Sequence, residues 1–306
     1  MNSMKCVLLL DVGGTFVKSV VATLEGELLP DTENSVPINS DGSREDIEKC
    51  FATVITNSYA LATYNGYEVA GIGVAFPGPC NYFTGVSLMK HKFASLYGVQ
   101  LIELFRSFPE VASDIPIVFM HDVTSAVLGE LNFGAARGYK NVAVVTLGTG
   151  LGFAHTIDGE IQYSELGSPL IPIYNRPYGD GVLEDYASKR GFMRAYSEVR
   201  GHTNPEGLTV AMIGGMAGNG GSEALKTFEK VGTILAEELE PLLKEYNIEC
   251  LLFGGQISRS FAYMESALQP LLERVPSLKV LTTMQNLSTA APLGILSRVR
   301  ELLGAK

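Results

Sequence analysis

Three times along the chain an apolar run fit for a buried strand ends in a glycine-rich turn. Val7 to Leu10 leads into Asp11-Val12-Gly13-Gly14-Thr15, and Val142 to Val145 leads into Thr146-Leu147-Gly148-Thr149-Gly150-Leu151-Gly152. Leu251-Leu252-Phe253 leads into Gly254-Gly255. Glycine beside a strand forgoes packing and gives up backbone entropy, so the repetition needs a reason. Without a Cβ, successive backbone N–H groups can close on an anion. The first turn adds Asp11, placed to hold the hydration shell of a Mg²⁺ ion, the Thr15 hydroxyl for a phosphate oxygen, and Lys18 as a mobile positive charge. Gly148, Thr149 and Gly150 repeat the amide-and-hydroxyl chemistry, and Gly254 and Gly255 suit the flat approach of a base or ribose. One such turn would be an ordinary hairpin, whereas two suggest two jaws closing on one polyphosphate.

A chain of 306 residues has room for two domains. A charged fraction of 18% against 46% hydrophobic residues excludes a disordered chain, and a net charge of −10 argues against nucleic acid as a partner. The start of the chain runs straight into the first strand, and no apolar run approaches the ~20 residues of a membrane span, so a cytoplasmic protein is expected. Cys6, Cys50, Cys80 and Cys250 stand singly, which favours free buried thiols over disulfides or a zinc site.

The periodicity predicts two strands over 5–24, with a turn at Gly26 into Leu28-Leu29. It predicts a helix over 43–64 capped by Ser43, and a strand over 69–76 stopped by Pro77-Gly78-Pro79. A short helix over 101–108 and a strand over 116–120 deliver His121-Asp122 to the start of a helix over 124–133. Asp122 then has two readings: a structural N-cap, which position alone favours, or a general base at a strand-to-helix junction. Paired strands joined by Ile157-Asp158-Gly159 follow, then a long loop over 164–181. Helices are expected over 182–196, 222–246, 260–272 and 292–303, with a strand over 279–282.

In order and spacing these pieces are similar to the ROK family of bacterial sugar kinases and related repressors. The resemblance runs from Lys5 to Leu303 through Asp11 to Thr15, Gly73 to Pro79, His121-Asp122 with Leu128-Gly129-Glu130, and Thr146 to Gly152. It continues through Asp158 to Ile161, Glu165-Leu166-Gly167, Leu183 to Ser188 and Gly254-Gly255. It implies an α/β chain with the two-domain actin-like ATPase, ribonuclease H-like fold of the hexokinase, Hsp70 and actin superfamily. The expected domains are residues 1–121 with 292–306, and residues 122–291, the last helix crossing back to the first. It further implies ATP with Mg²⁺ at Asp11, a sugar substrate approached by Pro77, Gly78, His121, Glu165 and Glu184, Asp122 as the base, and a homodimer.

This chain departs from the pattern at the sugar-reading positions. The family's Glu-x-Gly-His is Glu165-Leu166-Gly167-Ser168 here, and the cysteine array of its zinc loop is replaced by Tyr174 to Val182 without a cysteine, so no structural zinc is expected. The family's Asn before the base is His121, and Lys90-His91-Lys92 reads as a solvated charge cluster. The sequence therefore supports an ATP-dependent hexose kinase of glucokinase type. The repressor branch carries an N-terminal helix-turn-helix domain, for which the few residues before the first strand leave no room. Two further readings compete with the hexose kinase: a degenerate sensor that still binds nucleotide or sugar, and a kinase with a carboxylate acceptor.

Overall fold

The apolar run Val7-Leu8-Leu9-Leu10 has two faces to bury, and strand β1 (Met4–Val12) uses both. In the computed structural model, which describes residues 4–305, β1 is the centre of a five-stranded sheet. It pairs antiparallel with β2 (Phe16–Thr23), which pairs antiparallel with β3 (Asn34–Pro37). After helix α1 (Arg44–Tyr64), strand β4 (Tyr67–Phe76) runs parallel to the other edge of β1. A small hairpin of β5 (Cys80–Asn81) and β6 (Val86–Ser87) and a short helix α2 (Leu101–Arg106) precede β7 (Ile117–His121), which runs parallel to β4. Helix α3 (Asp122–Phe133) follows without a break. Leu8 and Leu10 pack with Ile47, Phe51 and Val54 of α1, and Val7 and Leu9 point to the opposite face. Each such fully buried side chain is worth roughly 1.5–3 kcal/mol. Ser43 caps α1 as expected, its Oγ accepting from the Asp46 amide at 3.1 Å.

The same plan recurs in the second half. Strand β8 (Val142–Leu147) pairs antiparallel with β9 (Leu151–Ile157), and β9 with β10 (Glu160–Ile161). The β9–β10 turn is the two-residue Asp158-Gly159, both at positive φ (53° and 85°), as the Asp-Gly signal demands. A short hairpin, β11 (Pro177–Tyr178) and β12 (Gly181–Val182), leads into α4 (Glu184–Ala187), α5 (Lys189–Arg200), α6 (Val210–Gly218) and α7 (Ser222–Glu245). Strand β13 (Cys250–Gly254) runs parallel to β8. Beyond a 3₁₀ segment and the short helices α8 (Glu265–Leu268) and α9 (Leu271–Arg274), β14 (Val280–Thr283) runs parallel to β13. The orders β3-β2-β1-β4-β7 and β10-β9-β8-β13-β14 have the same strand directions, which is the doubled sheet of the actin-like fold.

The last helix, α10 (Ala290–Leu302), returns to the first sheet, where Ile295 and Val299 cover Val7 and Leu9. Strand β4 makes room for it: a Cβ built on Gly73 would lie 2.0 Å from Ile295 Cγ2. Helix α10 also crosses α3 with backbones in contact. A Cβ on Gly129 would lie 1.9 Å from the Ala290 carbonyl oxygen, and one on Gly294 would lie 1.7 Å from that of Ser125.

The chain divides into two compact units. One holds the residues up to Phe133, Tyr163–Leu170 and those from Ser288 onward; the other holds Gly134–Gln162 and Ile171–Leu287. The boundary falls after α3 rather than at 121/122 because α3 is bound to α10. Residues 163–170 join the first unit because the Tyr82 amide donates to the Leu166 carbonyl at 2.8 Å and the Phe83 ring meets Tyr163 edge-on.

Several elements differ from expectation. Leu28 forms only an isolated bridge to Ala22, and the edge strand lies further on at Asn34–Pro37. The helix expected over 182–196 breaks at Ser188, and Gly191 lets α5 pack onto the backbone of α4, where a Cβ would lie 2.1 Å from the Tyr186 carbonyl carbon. The helix expected over 260–272 is broken into 3₁₀ and short α turns around Pro270. Helix α6 carries Gly214, Gly215 and Gly218, which hide it from propensity, yet Thr209 caps it through the Met212 amide at 3.2 Å. Among the described residues no helix is long and apolar enough to cross a membrane.

Two stability outcomes follow from this packing. Gly129→Ala or Gly294→Ala should lower unfolding free energy by about 1–3 kcal/mol or more in urea titration. Gly215→Ala, with no neighbouring atom within 4 Å of the new methyl and a helical backbone, should raise it by roughly 0.5–1 kcal/mol. His155 is fully buried in the second unit against Tyr246, its centroid 4.5 Å away, with both ring nitrogens unpartnered. Burial pushes its pKa from 6.5 down to about 4, against a smaller upward pull from Glu245. The unfolded chain therefore takes up the proton first, and stability falls as pH drops from about 6.5 towards 4. Urea midpoints across that range should shift less in His155→Phe than in the wild type.

Candidate active site

In the first unit the turn after β1 is closed by its own backbone, the Gly13 amide donating to the Phe16 carbonyl at 2.9 Å. Two more amides, from Ile38 and Ser40, bind the Thr15 and Gly14 carbonyls at 2.9 and 3.2 Å, so the loop after β3 braces the turn. Asp11 and Lys18 are cross-strand partners in the β1–β2 ladder. Asp11 is partly buried, and its pKa is raised to about 6 by burial first and by the charge of Asp122 second, with Lys18 acting in the opposite sense. Beside it opens a cavity of about 390 Å³ lined by Asp11, Lys18, Asn34, Ser288, Thr289 and Pro292. The Thr289 side chain makes no capping bond to α10, so that helix begins there with its first amides uncapped by its own N-cap residue. A buried-side carboxylate of raised pKa with no hydrogen-bonding side chain suits a hydrated divalent cation, and the lysine and helix start suit phosphate oxygens.

Asp122 and His121 stand at the C-terminal end of β7. The His121 Nδ1 is 2.8 Å from Asp122 Oδ1, and the Val123 amide donates to the same oxygen at 2.7 Å. An N-cap side chain reaches the amide two or three residues on, so the Asp122 bond to its immediate neighbour is not a cap. Desolvation works to raise the Asp122 pKa. The His121 charge and hydrogen bond, the Val123 amide and the Lys92 charge outweigh it, and the carboxyl is held below its ordinary value while 58% of the side chain stays exposed. The His121 ring lies edge-on to Tyr82, with centroids 5.8 Å apart, and the Tyr82 hydroxyl donates to the Phe76 carbonyl at 2.9 Å. Gly78, before a cis bond to Pro79, leaves the ring its space: a Cβ there would lie 3.3 Å from His121 Cδ2 and 3.2 Å from the Tyr82 hydroxyl. Glu165 is exposed in a tight turn of the same unit, where the Gly167 amide donates to the Ser164 carbonyl at 2.9 Å.

The second unit holds the other two glycine turns. The Gly148 amide donates to the Gly150 carbonyl at 3.0 Å, the Lys189 amide donates to the Gly148 carbonyl at 2.8 Å, and Thr149 is exposed. Gly255, at φ 81°, packs on the end of β8, where a Cβ would lie 2.3 Å from the Leu147 carbonyl oxygen; Gly254 leaves room for the Met284 sulfur. Glu184 is bound to this turn, one oxygen accepting from the Leu151 amide and the other from Arg190, both at 2.9 Å. The hairpin before it is closed by side chains: Asp180 bonds the Tyr186 hydroxyl and, at 2.9 Å, Arg194, whose guanidinium lies 4.3 Å from the Tyr186 ring centre. Among the described residues no three His, Cys, Asp or Glu side chains converge as metal ligands.

The first unit thus holds Asp11, Gly13, Gly14, Thr15 and Lys18 as well as Pro77, Gly78, His121, Asp122 and Glu165, and of these Asp122 is close enough to act on Asp11 by its charge. The second holds Gly148, Thr149, Gly150, Gly254 and Gly255 with Glu184. Sequence reasoning did not find Tyr82, whose ring meets His121 far along the chain, or Arg190, which pairs with Glu184 and Asp185, and it set Lys92 aside as a solvated charge. Ser288-Thr289 before an apolar run is the one missed feature with a signal, the usual mark of a helix start.

A family model described as "ROK family" matches residues 7–171 and 175–300. A glucokinase of Streptomyces coelicolor is 27% identical over 216 residues, 66% of this chain and 62% of that protein, so the chain spans under two thirds of that relative's length. A glucokinase of Halalkalibacterium halodurans is 26% identical over 275 residues, 82% of this chain and 80% of its own, and a xylose repressor of Bacillus spizizenii is 23% identical over 82% of this chain and 64% of its own. The solved ROK family glucokinase from Streptomyces griseus in complex with glucose and AMPPNP superposes with a TM-score of 0.76 at 20% identity, covering 97% of this chain and 99% of that one.

Glu184→Ala should leave the buried Leu151 amide without its acceptor and lower stability by about 1–3 kcal/mol in thermal unfolding. Glu184→Gln, which keeps one acceptor oxygen, should lose less.

Proposed function

The chain belongs to the ROK family, and on that footing we propose that it is an ATP-dependent sugar kinase, transferring the γ-phosphate of Mg-ATP to a hexose hydroxyl. The acceptor is the 6-hydroxyl of glucose or of a related hexose or N-acetylhexosamine. The observation that carries this reading is Asp122: a carboxylate held in its ionised form, more than half exposed, at the C-terminal end of a parallel strand. A general base for a sugar hydroxyl must be ionised and open to the substrate, and Asp122 is both. The glucokinase relatives and the glucose and AMPPNP of the solved S. griseus structure support hexose and ATP as the two substrates.

Asp122 accepts the proton of the attacking hydroxyl as its oxygen bonds to phosphorus and the bond from phosphorus to the bridging oxygen of ADP breaks. The first glycine turn, Thr15 and Lys18 would orient the phosphates, as would Gly148, Thr149 and Gly150, with Gly254 and Gly255 for the adenosine. Asp11 would hold Mg²⁺ through water, and the bound ion would neutralise charge on the phosphate oxygens. Pro77, Gly78, Glu165 and Glu184 would recognise the sugar, with His121 beside the base, and Ser168 stands where the family has a histidine, so the sugar preference is this chain's own. The lost histidine and cysteines favour one second reading, a catalytically degenerate sensor that binds nucleotide or sugar without turnover.

Coupled ADP release with Mg-ATP should be sugar-dependent across a panel of hexoses and N-acetylhexosamines, and Asp122→Asn should lower kcat by about 10²–10⁴-fold. Nucleotide binding with no turnover on any sugar would favour the sensor.

A further inference from the structure

Asp122 Oδ1 already takes two donors, His121 Nδ1 at 2.8 Å and the Val123 amide at 2.7 Å, while Oδ2 takes none among the described residues. The Val123 amide also lies 3.4 Å from Nδ1. A ring nitrogen that carries the proton for Oδ1 cannot accept another, so the amide belongs to the carboxylate. The ring itself is held by Tyr82 edge-on and has no spare volume on the Gly78 side. From this geometry we infer that His121 is a positioning residue: its Nδ1–H fixes the rotation of the Asp122 carboxylate so that Oδ2 is the oxygen that takes the hydroxyl proton.

The inference rests on the kinase reading for its kinetic consequence but not for its geometry. The hydroxyl proton passes to Oδ2, the Nδ1–H stays on His121, and no second proton moves. With Nδ1 committed to Asp122, the imidazole can address a substrate only through Nε2. Loss of the Nδ1–H lets the carboxylate turn, and misplacing a reacting group by about 1 Å costs on the order of 10²-fold.

The test has two arms. In the first, ¹⁵N spectra of the histidine-labelled protein, assigned with His121→Phe, are recorded at a pH where the ring is neutral. His121 should show the Nδ1–H tautomer in the wild type and lose that preference in Asp122→Ala, which removes the acceptor; an Nε2–H tautomer in the wild type overturns the inference whether or not the protein is a kinase. In the second, His121→Phe should lower kcat about 10–100-fold with the sugar KM within about twofold of wild type, and His121→Asn, which keeps a donor, should recover part of the loss. A raised KM with unchanged kcat, or no change in either, overturns the positioning role. A wild type inactive on every sugar overturns the kinase reading and leaves the tautomer to decide the inference.

Discussion

The contact on which the first unit depends is the crossing of α3 and α10, where each helix presents a glycine to the other's backbone. Gly129 meets the Ala290 carbonyl and Gly294 meets that of Ser125, so the approach is set by main chain rather than by side chains that could repack. Both helices begin at chemistry. Helix α3 starts with Asp122, and α10 starts beside the cavity that Asp11 and Lys18 line. Main-chain contact at both glycines therefore holds Asp122 and the cavity beside Asp11 in one frame. Catalysis by positioning needs such a frame, because phosphoryl transfer leaves the protein little else to do.

Within that frame the two carboxylates are driven apart. Asp11, short of partners and partly buried, is raised to about 6, while Asp122, with an imidazole, an amide and a lysine charge around it, is lowered. Asp11 feels the charge of Asp122, and a cation bound at Asp11 would offset that repulsion. Divergent environments for neighbouring acids are a recurrent way to assign them separate tasks. Here the assignment would be cation and phosphate for Asp11, proton for Asp122.

The elements with strong local signals were readable in the sequence: the capped helix after Ser43, the Asp-Gly hairpin, and strands whose alternation serves two faces, as in Val7 to Leu10. The glycine turns were readable because glycine there is a local cost with a chemical use. The unreadable parts are those in which tertiary packing overrides propensity. Helix α6 forms despite three glycines, and the chain breaks at Ser188 because Gly191 allows α5 to seat directly on α4. At the site, Asp122 could be placed at its junction from sequence, but that its oxygen bonds the next amide, Val123, rather than capping the helix needed the side-chain direction. Glu184 was expected at the sugar, and the structure shows its carboxylate engaged by the Leu151 amide and Arg190, a contact that no spacing rule encodes.

The place of α10 in the chain sets an order of assembly during synthesis. The second unit lies wholly between residues 134 and 287, apart from the short Tyr163–Leu170 excursion, so all of it has been translated before Ala290 is added. The first unit begins with the first strand, yet the Val7 and Leu9 face of its sheet lacks the cover of Ile295 and Val299 until α10 is made. Domains usually finish in the order in which they are translated. Here the unit that holds the first strand also needs α10, which follows the whole of the second unit, so a chain cut before Ala290 would hold every residue of the second unit and lack a helix of the first.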